Sequence, residues 1–371
     1  MDNVTHTLFA LTLARTKIGG AGRGTTAALV IASNAPDIDI VAAAGGAVSY
    51  LEWHRGPTHG PIGIVALSLV TAGLVWSGLR WLDTWTGRTG DDRGNASGGM
   101  LAVVSIIGVF LHVAMDVPTS YGTRLLSPLT WDWFAADWMP IVDIYLLTLL
   151  TAGLVFGADP HGRRRNAAIV LALVTANYGV RAAAHHLAVA AVPRVFGRAL
   201  PPPCEDANSG RAIDAWPGLA EVPARHATTD RCAREVAAIP TFVSPFRWRL
   251  VVHLSTTYLV QEIDLLDRRF RSPGSEARPL WPSTGRHASE WTPEMERAAQ
   301  TRVGQVFLGF SRFPAARASI DTNGVTTVRW TDMRFMDGPP RGGSSDVRGG
   351  LFTAVVRIGP DGRVLEQRLG G

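Results

Sequence analysis

The chain has 371 residues, a formal net charge of +5 and a mean hydropathy of +0.11, and this length allows two domains. Residues up to about 195 are membrane-like, whereas the remainder is polar and rich in proline and arginine. The basic sequence pI of about 9.7 does not indicate a nucleic-acid partner, because the arginines of the second part are scattered and not clustered with stacking aromatics. Membrane lipids with anionic headgroups are the expected partners.

Apolar segments of the first part predict a multi-pass α-helical membrane domain over residues 1–195. Four of them approach the ~20 residues needed to cross a bilayer core: 61–82, 100–117, 140–157 and 167–192. Two shorter segments, 4–14 and 25–35, predict a helical hairpin that does not cross alone. A signal peptide is not expected, because basic residues follow the first apolar segment and do not precede it.

Polar residues lie at the ends of these apolar segments, where ionisable groups are costly and usually functional. His112 and Asp116 are spaced i, i+4 and therefore share one face of a helix. His6 lies near the start of the first apolar segment. Imidazole nitrogens and carboxylate oxygens are the ligands that zinc and similar divalent metals prefer, so these residues are candidates for a metal site.

Two further clusters add donors of the same kind. Asp37 and Asp39 follow Pro36, and an extended Asp-x-Asp would point both carboxylates the same way. His54 and His59 flank a Gly-Pro pair that is typical of a tight loop, and such a loop lets both rings turn inward.

Together these residues predict a site for one or two divalent ions, with zinc as the expected metal. One or both of the loop histidines would bind the metal, together with one or both aspartates of the Asp-x-Asp motif. His6 and Asp143 are further ligands or outer partners. The predicted ligands are therefore His6, Asp37, Asp39, His54, His59, His112, Asp116 and Asp143.

Catalytic roles are predicted for Asp37, Asp39 and Arg55. An aspartate that does not bind the metal would serve as general base. Arg55, between the two loop histidines, would balance negative charge that develops on a phosphoester. Its guanidinium suits bidentate phosphate binding, and a salt bridge to Asp37 or Asp39 is the open alternative.

Five motifs resemble the YdjM-like family of membrane-bound metal-dependent hydrolases: Asp-x-x-Thr-His at 2–6, Pro-Asp-x-Asp at 36–39, His-Arg-Gly-x-Thr-His at 54–59, His-x-x-x-Asp at 112–116 and Thr-Ser-Tyr-Gly-Thr at 119–123. The resemblance runs through Asp143, and Pro-Phe-Arg-Trp at 245–248 is more weakly similar to members with a C-terminal extension. It implies a divalent metal and hydrolysis without a defined substrate. The order of ligands is also similar to that of zinc phospholipase C and related single-strand nucleases, but no matching His-x-x-x-Glu follows, only His185-His186.

Basic residues predict the orientation. If the metal motifs share one face of the membrane, the opposite face is cytoplasmic by the positive-inside rule, because it holds Arg15, Lys17, Arg23, Arg80, Arg88, Arg93, Arg163, Arg164 and Arg165. The site and the second part would then face outside the cytoplasm of an inner-membrane protein. Disulfides persist there, so Cys204 and Cys232 are expected to form one rather than remain two thiols. They lack the CxxC spacing of a zinc site.

Residues 196–371 predict a smaller soluble α+β domain that is mostly β. Aromatic and β-branched residues predict strands at 246–252, 256–265, 325–329 and 351–358, with a turn at 360–362. A helix is predicted over 292–310, because Thr292-Pro293 is a typical helix start. The segments 268–290 and 337–346 are predicted loops.

The predicted function is hydrolysis of a phosphoester or another lipid-linked ester, with a metal that makes water nucleophilic. The substrate would enter laterally from the outer leaflet. Two alternatives stay open. A transporter would use the same groups to relay protons or ions, although these groups gather at one face and not at the midplane of repeated halves. A non-catalytic protein would use the metal only to brace its helices.

Overall fold

The structure, a computed structural model, describes residues 1–87, 94–156, 162–197, 200–208, 213–219, 232–267, 284–289, 291–336 and 352–370. Its contacts divide the chain into two compact units. The first comprises residues 1–41 and 53–181, and the second comprises 42–52 and 182–371. The sequence-based domain boundary near residue 195 stays a prediction.

Helices build the first part of the chain. They are α1 (Asn3–Ala14), α2 (Thr25–Ala32), a 3-10 helix (Ala35–Gly45), α3 (Ala47–Trp53), α4 (Pro61–Trp85), α5 (Gly98–Asp116), α6 (Ile144–Phe156) and α7 (Arg163–Phe196), with a short 3-10 turn at Gly19–Ala21 and one short strand, β1 (Trp133–Ala135). Residues 163–181 of α7 belong to the first unit and residues 182–196 to the second.

Three of the described helices, α4, α5 and α7, are long and apolar enough to cross a membrane. Helix α2 and the 3-10 helix form a fourth span if the two, bent by 41°, are one broken segment. In the most apolar window of α4 only 22% of the residues are buried, which leaves its apolar side chains to lipid. The predicted spans at 61–82, 100–117 and 167–192 therefore correspond to helices of sufficient length.

The predicted span at 140–157 is wrong in its extent. Helix α6 has 13 residues, about 20 Å, which is too short for a core of ~30 Å. Its start is fixed by Asp143, whose carboxylate accepts the N–H of Leu146. The short hairpin helices predicted at 4–14 and 25–35 correspond to α1 and α2.

Local sequence sets where the site-bearing helices begin and how closely they pack. Asp2 caps α1 and Ser97 caps α5, each accepting a backbone N–H of the first turn. Gly108 of α5 faces α2, and a Cβ there would lie 2.7 Å from the Ala32 Cβ. Because glycine lacks that atom, α2 approaches α5 closely next to the metal motifs.

Besides most of α3 and the end of α7, the described residues of the second unit form two sheets and two further short helices. Its strands are β2 (Pro203–Asn208), β3 (Asp214–Trp216), β4 (Ala233–Pro240), β5 (Arg247–Leu254), β6 (Thr257–Asp264), β7 (Gly285–Ala288), β8 (Pro314–Ile320), β9 (Thr326–Asp332), β10 (Thr353–Ile358) and β11 (Val364–Leu369), and its helices are α8 (Pro293–Ala299) and α9 (Arg302–Phe310). One sheet has the order β2-β4-β5-β6-β7 and the other β11-β10-β9-β8. Neighbours are antiparallel except β2 and β4.

Strand β5 lies at the centre of the five-stranded sheet and is buried on both faces. Trp248 and Leu250 pack with Phe196 at the end of α7, whereas Val251 packs on the other face with Phe313. This alternation follows from the two-residue repeat of a strand.

The four predicted strands are confirmed as β5, β6, β9 and β10. The single helix over 292–310 is wrong, because Thr301 caps a new helix by accepting the N–H of Gly304. The predicted loop at 268–290 contains β7, which pairs with β6. Residues 268–283 and the predicted loop at 337–346 lie outside the described residues. The predicted disulfide is confirmed, with Cα atoms of Cys204 and Cys232 5.0 Å apart.

Candidate metal centre

Four polar side chains converge in the first unit, where α4 begins and α5 ends. Asp37 comes from the 3-10 helix, His59 from the turn before α4, and His112 and Asp116 from the last turns of α5. One ligand atom of each residue lies within 4.8 Å of those of the other three. His59, His112 and Asp116 are buried, and Asp37 is half-buried. We call these four residues the ligand group.

Five of the six separations within the ligand group are close to the edges of a tetrahedral metal site, and the sixth, between Asp37 and Asp116, is within 4.8 Å. His59 Nε2 lies 3.2 Å from His112 Nε2, 3.7 Å from Asp37 Oδ1 and 3.4 Å from Asp116 Oδ2. His112 Nε2 lies 3.5 Å from each of the same two carboxylate oxygens. A tetrahedron with metal–ligand distances of about 2.0–2.2 Å has edges of about 3.3–3.6 Å. The donor atoms therefore fit around one small divalent ion.

Outer contacts orient both histidines so that Nε2 faces the centre of the group. His112 Nδ1 lies 2.8 Å from the carbonyl oxygen of Ser33, and His59 Nδ1 lies 3.0 Å from Thr58 Oγ1. A proton on Nδ1 satisfies both contacts and leaves the Nε2 lone pair for a metal. Burial, with His112 and Arg55 nearby, lowers the pKa of His59 well below its usual value, so its ring is neutral as a ligand must be.

Asp39 lies beside the ligand group and holds the 54–59 turn. Its carboxylate accepts the backbone N–H of Arg55 at 2.7 Å and the Thr58 hydroxyl at 3.3 Å, and it lies 3.0 Å from His54 Nδ1. Burial lowers the pKa of His54, and Asp39 partly opposes that shift. The expectation of an extended Asp-x-Asp with parallel carboxylates is wrong. Residues 35–45 form a 3-10 helix, where positions i and i+2 point in different directions.

Arg55 is buried with its guanidinium at Asp116. It donates to Asp116 Oδ1 at 3.0 Å, to Thr119 Oγ1 at 3.0 Å and to the carbonyl oxygen of Gly122 at 3.1 Å. Its backbone φ is 53°, a conformation that L-residues seldom adopt and that occurs at functional sites. Its guanidinium is thus paired with the carboxylate of Asp116.

His6 borders the ligand group. Its ring stacks on His112 with centroids 3.9 Å apart, and its Nε2 lies 3.5 Å from Asp116 Oδ1. Among the described residues neither ring nitrogen has a hydrogen-bond partner. The amino group of Met1 also contacts Asp116 Oδ1, and burial lowers the pKa of that amine well below its usual value.

Asp143 lies outside the ligand group. It pairs with Arg181 of α7, with 2.5 Å between Oδ2 and Nε, and both side chains are fully buried. The sequence carried a signal for this pair, because Arg181 is an isolated cation in an apolar segment. Thr58 and the carbonyl of Ser33 were also missed. Thr58 stood within a quoted motif without a role, and no sequence pattern indicated the carbonyl.

The chemistry of the donors also fits a cation. Asp116 Oδ2 is buried and has no hydrogen-bond partner among the described residues, although it faces the Nε2 atoms of His59 and His112. Acceptor atoms that face one another without a proton repel, and buried acceptors without partners are costly. A divalent ion at the centre would satisfy all of them.

A family model, and no individual protein, identifies the family. No curated protein and no solved structure shows significant similarity to the chain. The family model described as YdjM inner membrane protein matches residues 1–188, half of the chain, and this range includes the whole ligand group. The chain therefore belongs to the YdjM inner membrane protein family.

Proposed function

We propose that this protein is a membrane-embedded, metal-dependent hydrolase. Asp37, His59, His112 and Asp116 would hold the ion, with zinc as the metal that best suits two imidazoles and two carboxylates. The observation that carries this proposal is the set of separations of 3.2–3.7 Å among these donors. An ion bound there would act as a Lewis acid and make water nucleophilic near neutral pH.

Asp37 is the ligand best placed to admit substrate. Its side chain is 13% exposed, whereas the side chains of His59, His112 and Asp116 are at 0%. Catalytic zinc binds a water or a substrate oxygen in addition to its protein ligands, so an ion held by these four residues would need a further position. The exposed side of the group is where that oxygen would enter. The helices α4 and α5, whose ends carry the group, are both candidate spans. This placement supports a phosphoester or another lipid-linked ester as substrate.

His54 is the proposed proton acceptor, and Asp39 is the carboxylate that orients it. His54 Nδ1 lies 3.0 Å from Asp39 Oδ1, and the rings of His54 and His59 are 6.4 Å apart. A histidine oriented by a carboxylate is the usual arrangement of a general base. We assign Asp39 to that orientation, so that His54 takes the proton of the attacking water.

The test is hydrolysis by the purified protein with and without metal. After chelation and reloading with zinc or manganese, it is offered phospholipids and a generic phosphodiester. Activity should be lost on chelation and return on reloading. His54→Ala should keep the metal and lower the rate by roughly 10²–10⁴-fold. Hydrolysis that persists without metal would contradict the proposal.

A metal-braced, non-catalytic protein is the second candidate, and the burial of three ligands favours it. Closed sites with four protein ligands are typical of structural zinc. In that case chelation should lower the melting temperature, and no ester in the panel should be hydrolysed by the loaded protein. Loss of metal-dependent hydrolysis in Asp37→Asn, at unchanged melting temperature, would instead favour the enzyme.

We further propose that the site faces outside the cytoplasm. Arg23 pairs with Asp83 at 2.5 Å near the end of α4, far along the helix from the ligand group, and residues 163–165 are exposed. Arg88 and Arg93 lie outside the described residues. A reporter fused after Arg165 should behave as cytoplasmic and one after residue 198 as external. The reverse pattern would reverse the orientation.

A further inference from the structure

We infer that the site holds one divalent ion, and that the Arg55 guanidinium serves in place of a second cation by fixing Asp116. This inference rests on the proposed metal site and defines its ion count. Sequence reasoning allowed one or two ions. The described contacts of Arg55 favour one ion over two.

Side-chain charge around the ligand group favours a single ion. Three carboxylates, those of Asp37, Asp39 and Asp116, lie in or beside the ligand group. The guanidinium of Arg55 is the cationic side chain that contacts Asp116, whose Oδ1 also contacts the amine of Met1. The histidines are neutral when they bind a metal. Three negative charges and one positive charge leave a net charge of −2, which one divalent ion cancels. A second divalent ion would leave the site with an excess charge of +2. Buried charge that is not compensated is costly, so the charge balance favours one ion.

The two oxygens of Asp116 have different partners. Oδ2 faces His59 and His112 and has no hydrogen-bond partner among the described residues. Oδ1 is 3.0 Å from Arg55 Nη2. The ions of a two-metal site lie only about 3.5–4 Å apart, so the second oxygen of a carboxylate that binds one ion is in reach of the other. Here the oxygen that would bind a second ion already accepts from a guanidinium.

The hydrogen bonds of Arg55 hold its guanidinium in place beside Asp116. Its other described donors go to Thr119 Oγ1 and to the carbonyl of Gly122, while its backbone N–H goes to Asp39. The planar guanidinium thus links the end of α5 to the chain after it and to the 54–59 turn. A lysine would bring the charge without this geometry, because it is a compact ammonium on a flexible stem. Arg55 is therefore a positioning residue.

The test measures metal, not turnover. Full-length protein in detergent micelles is stripped with EDTA, reloaded with Zn²⁺ and analysed by mass spectrometry of the metal, and its affinity is measured by chelator competition. The wild type should bind one Zn²⁺ per chain. Arg55→Gln should bind Zn²⁺ about 10–100-fold more weakly, the usual effect of losing an outer partner of a ligand. Arg55→Lys should recover only part of that loss.

Arg124→Gln is the matched control. Arg124 is equally buried, at 4% against 3% for Arg55, and its guanidinium lies over Trp131 and Trp133. The control should keep wild-type affinity. Two ions per chain, or equal affinities in Arg55→Gln and the wild type, would overturn the inference while leaving a metal site. A wild type that binds no Zn²⁺ or other divalent metal would overturn the proposed function itself. If Arg55→Gln does not fold, the wild-type stoichiometry and Arg55→Lys still decide.

Discussion

Buried charges occur in both units, but they are compensated differently. In the second unit Arg334 and Asp332 are both fully buried, and the guanidinium donates from Nε and Nη2 to the carboxylate at 2.7–3.1 Å. Such a fork-like pair is neutral and nearly complete by itself. In the ligand group of the first unit, acceptors outnumber donors. The comparison teaches that burial alone does not indicate a ligand, whereas buried acceptors facing one another do.

The surroundings of the two clusters agree with this difference. The guanidinium of Arg334 lies within 4.9 Å of the ring centroids of Trp216, Phe310 and Phe335. These cation–π contacts add to the ion pair. The ligand group instead has a half-buried member, Asp37, at its edge. The first arrangement stabilises a core, and the second is a group of donors that could hold a metal ion.

The largest expected effect is the loss of stability when the Arg334–Asp332 ion pair is broken. Asp332→Ala leaves a buried guanidinium unpaired, so we expect the free energy of unfolding to fall by about 3–5 kcal/mol, measured by thermal or denaturant unfolding in detergent. Bound metal per folded chain should not change. Asp361→Ala, in an exposed turn with Arg363, is the control and should have little effect. Loss of bound metal in Asp332→Ala would contradict the assignment of the Arg334–Asp332 pair to stability alone.

A substitution in the ligand group should instead lower metal affinity. His112→Ala should weaken divalent-metal binding by about 10²–10³-fold, because a four-ligand zinc site contributes ~10–16 kcal/mol and loses about a quarter of it. Membrane insertion should persist, since α5 stays apolar. His186→Ala, an exposed histidine of α7, should bind metal normally. Unchanged affinity in His112→Ala would remove this residue from the site.

The disulfide should affect stability without affecting metal. Replacing Cys204 and Cys232 by serine removes the closure of a loop with a sequence separation of 28, so we expect a loss of about 3 kcal/mol. Unfolding of the oxidised and reduced protein measures this loss, and Zn²⁺ affinity in the same samples is the control. Two free thiols in protein isolated without reductant would contradict the disulfide itself.

The fold was predictable where periodicity and length decide it. Helices α4, α5 and α7 and strands β5, β6, β9 and β10 all have apolar patterns that the sequence displays. Strands β4 and β8 were missed because alanines dominate them, and alanine does not favour strands. Their place is set by pairing with neighbouring strands, which no local pattern encodes.

The candidate site shows the same limit. The i, i+4 spacing of His112 and Asp116 alone predicted two neighbouring ligands. Whether Asp37 or Asp39 joins them depends on a 3-10 helix that the Asp-x-Asp pattern did not indicate. The partner of Asp143 depends on how α6 packs against α7, which no spacing along the chain contains.

The smallest effect is expected in the outer contacts of the ligand group. Thr58 donates to Asp39 Oδ2 and lies 3.0 Å from His59 Nδ1, so its hydroxyl links the carboxylate to the ligand ring. Thr58→Val keeps the shape and removes the hydroxyl, and we expect roughly tenfold weaker Zn²⁺ binding, at the low end for such partners. Thr58→Ser restores the hydroxyl and should recover most of the affinity. Chelator competition on the three proteins measures both steps. If serine and valine bind equally weakly, the methyl group matters and the hydroxyl does not. The first unit would then resemble the second, with packing and not orientation as the role of its buried polar side chains.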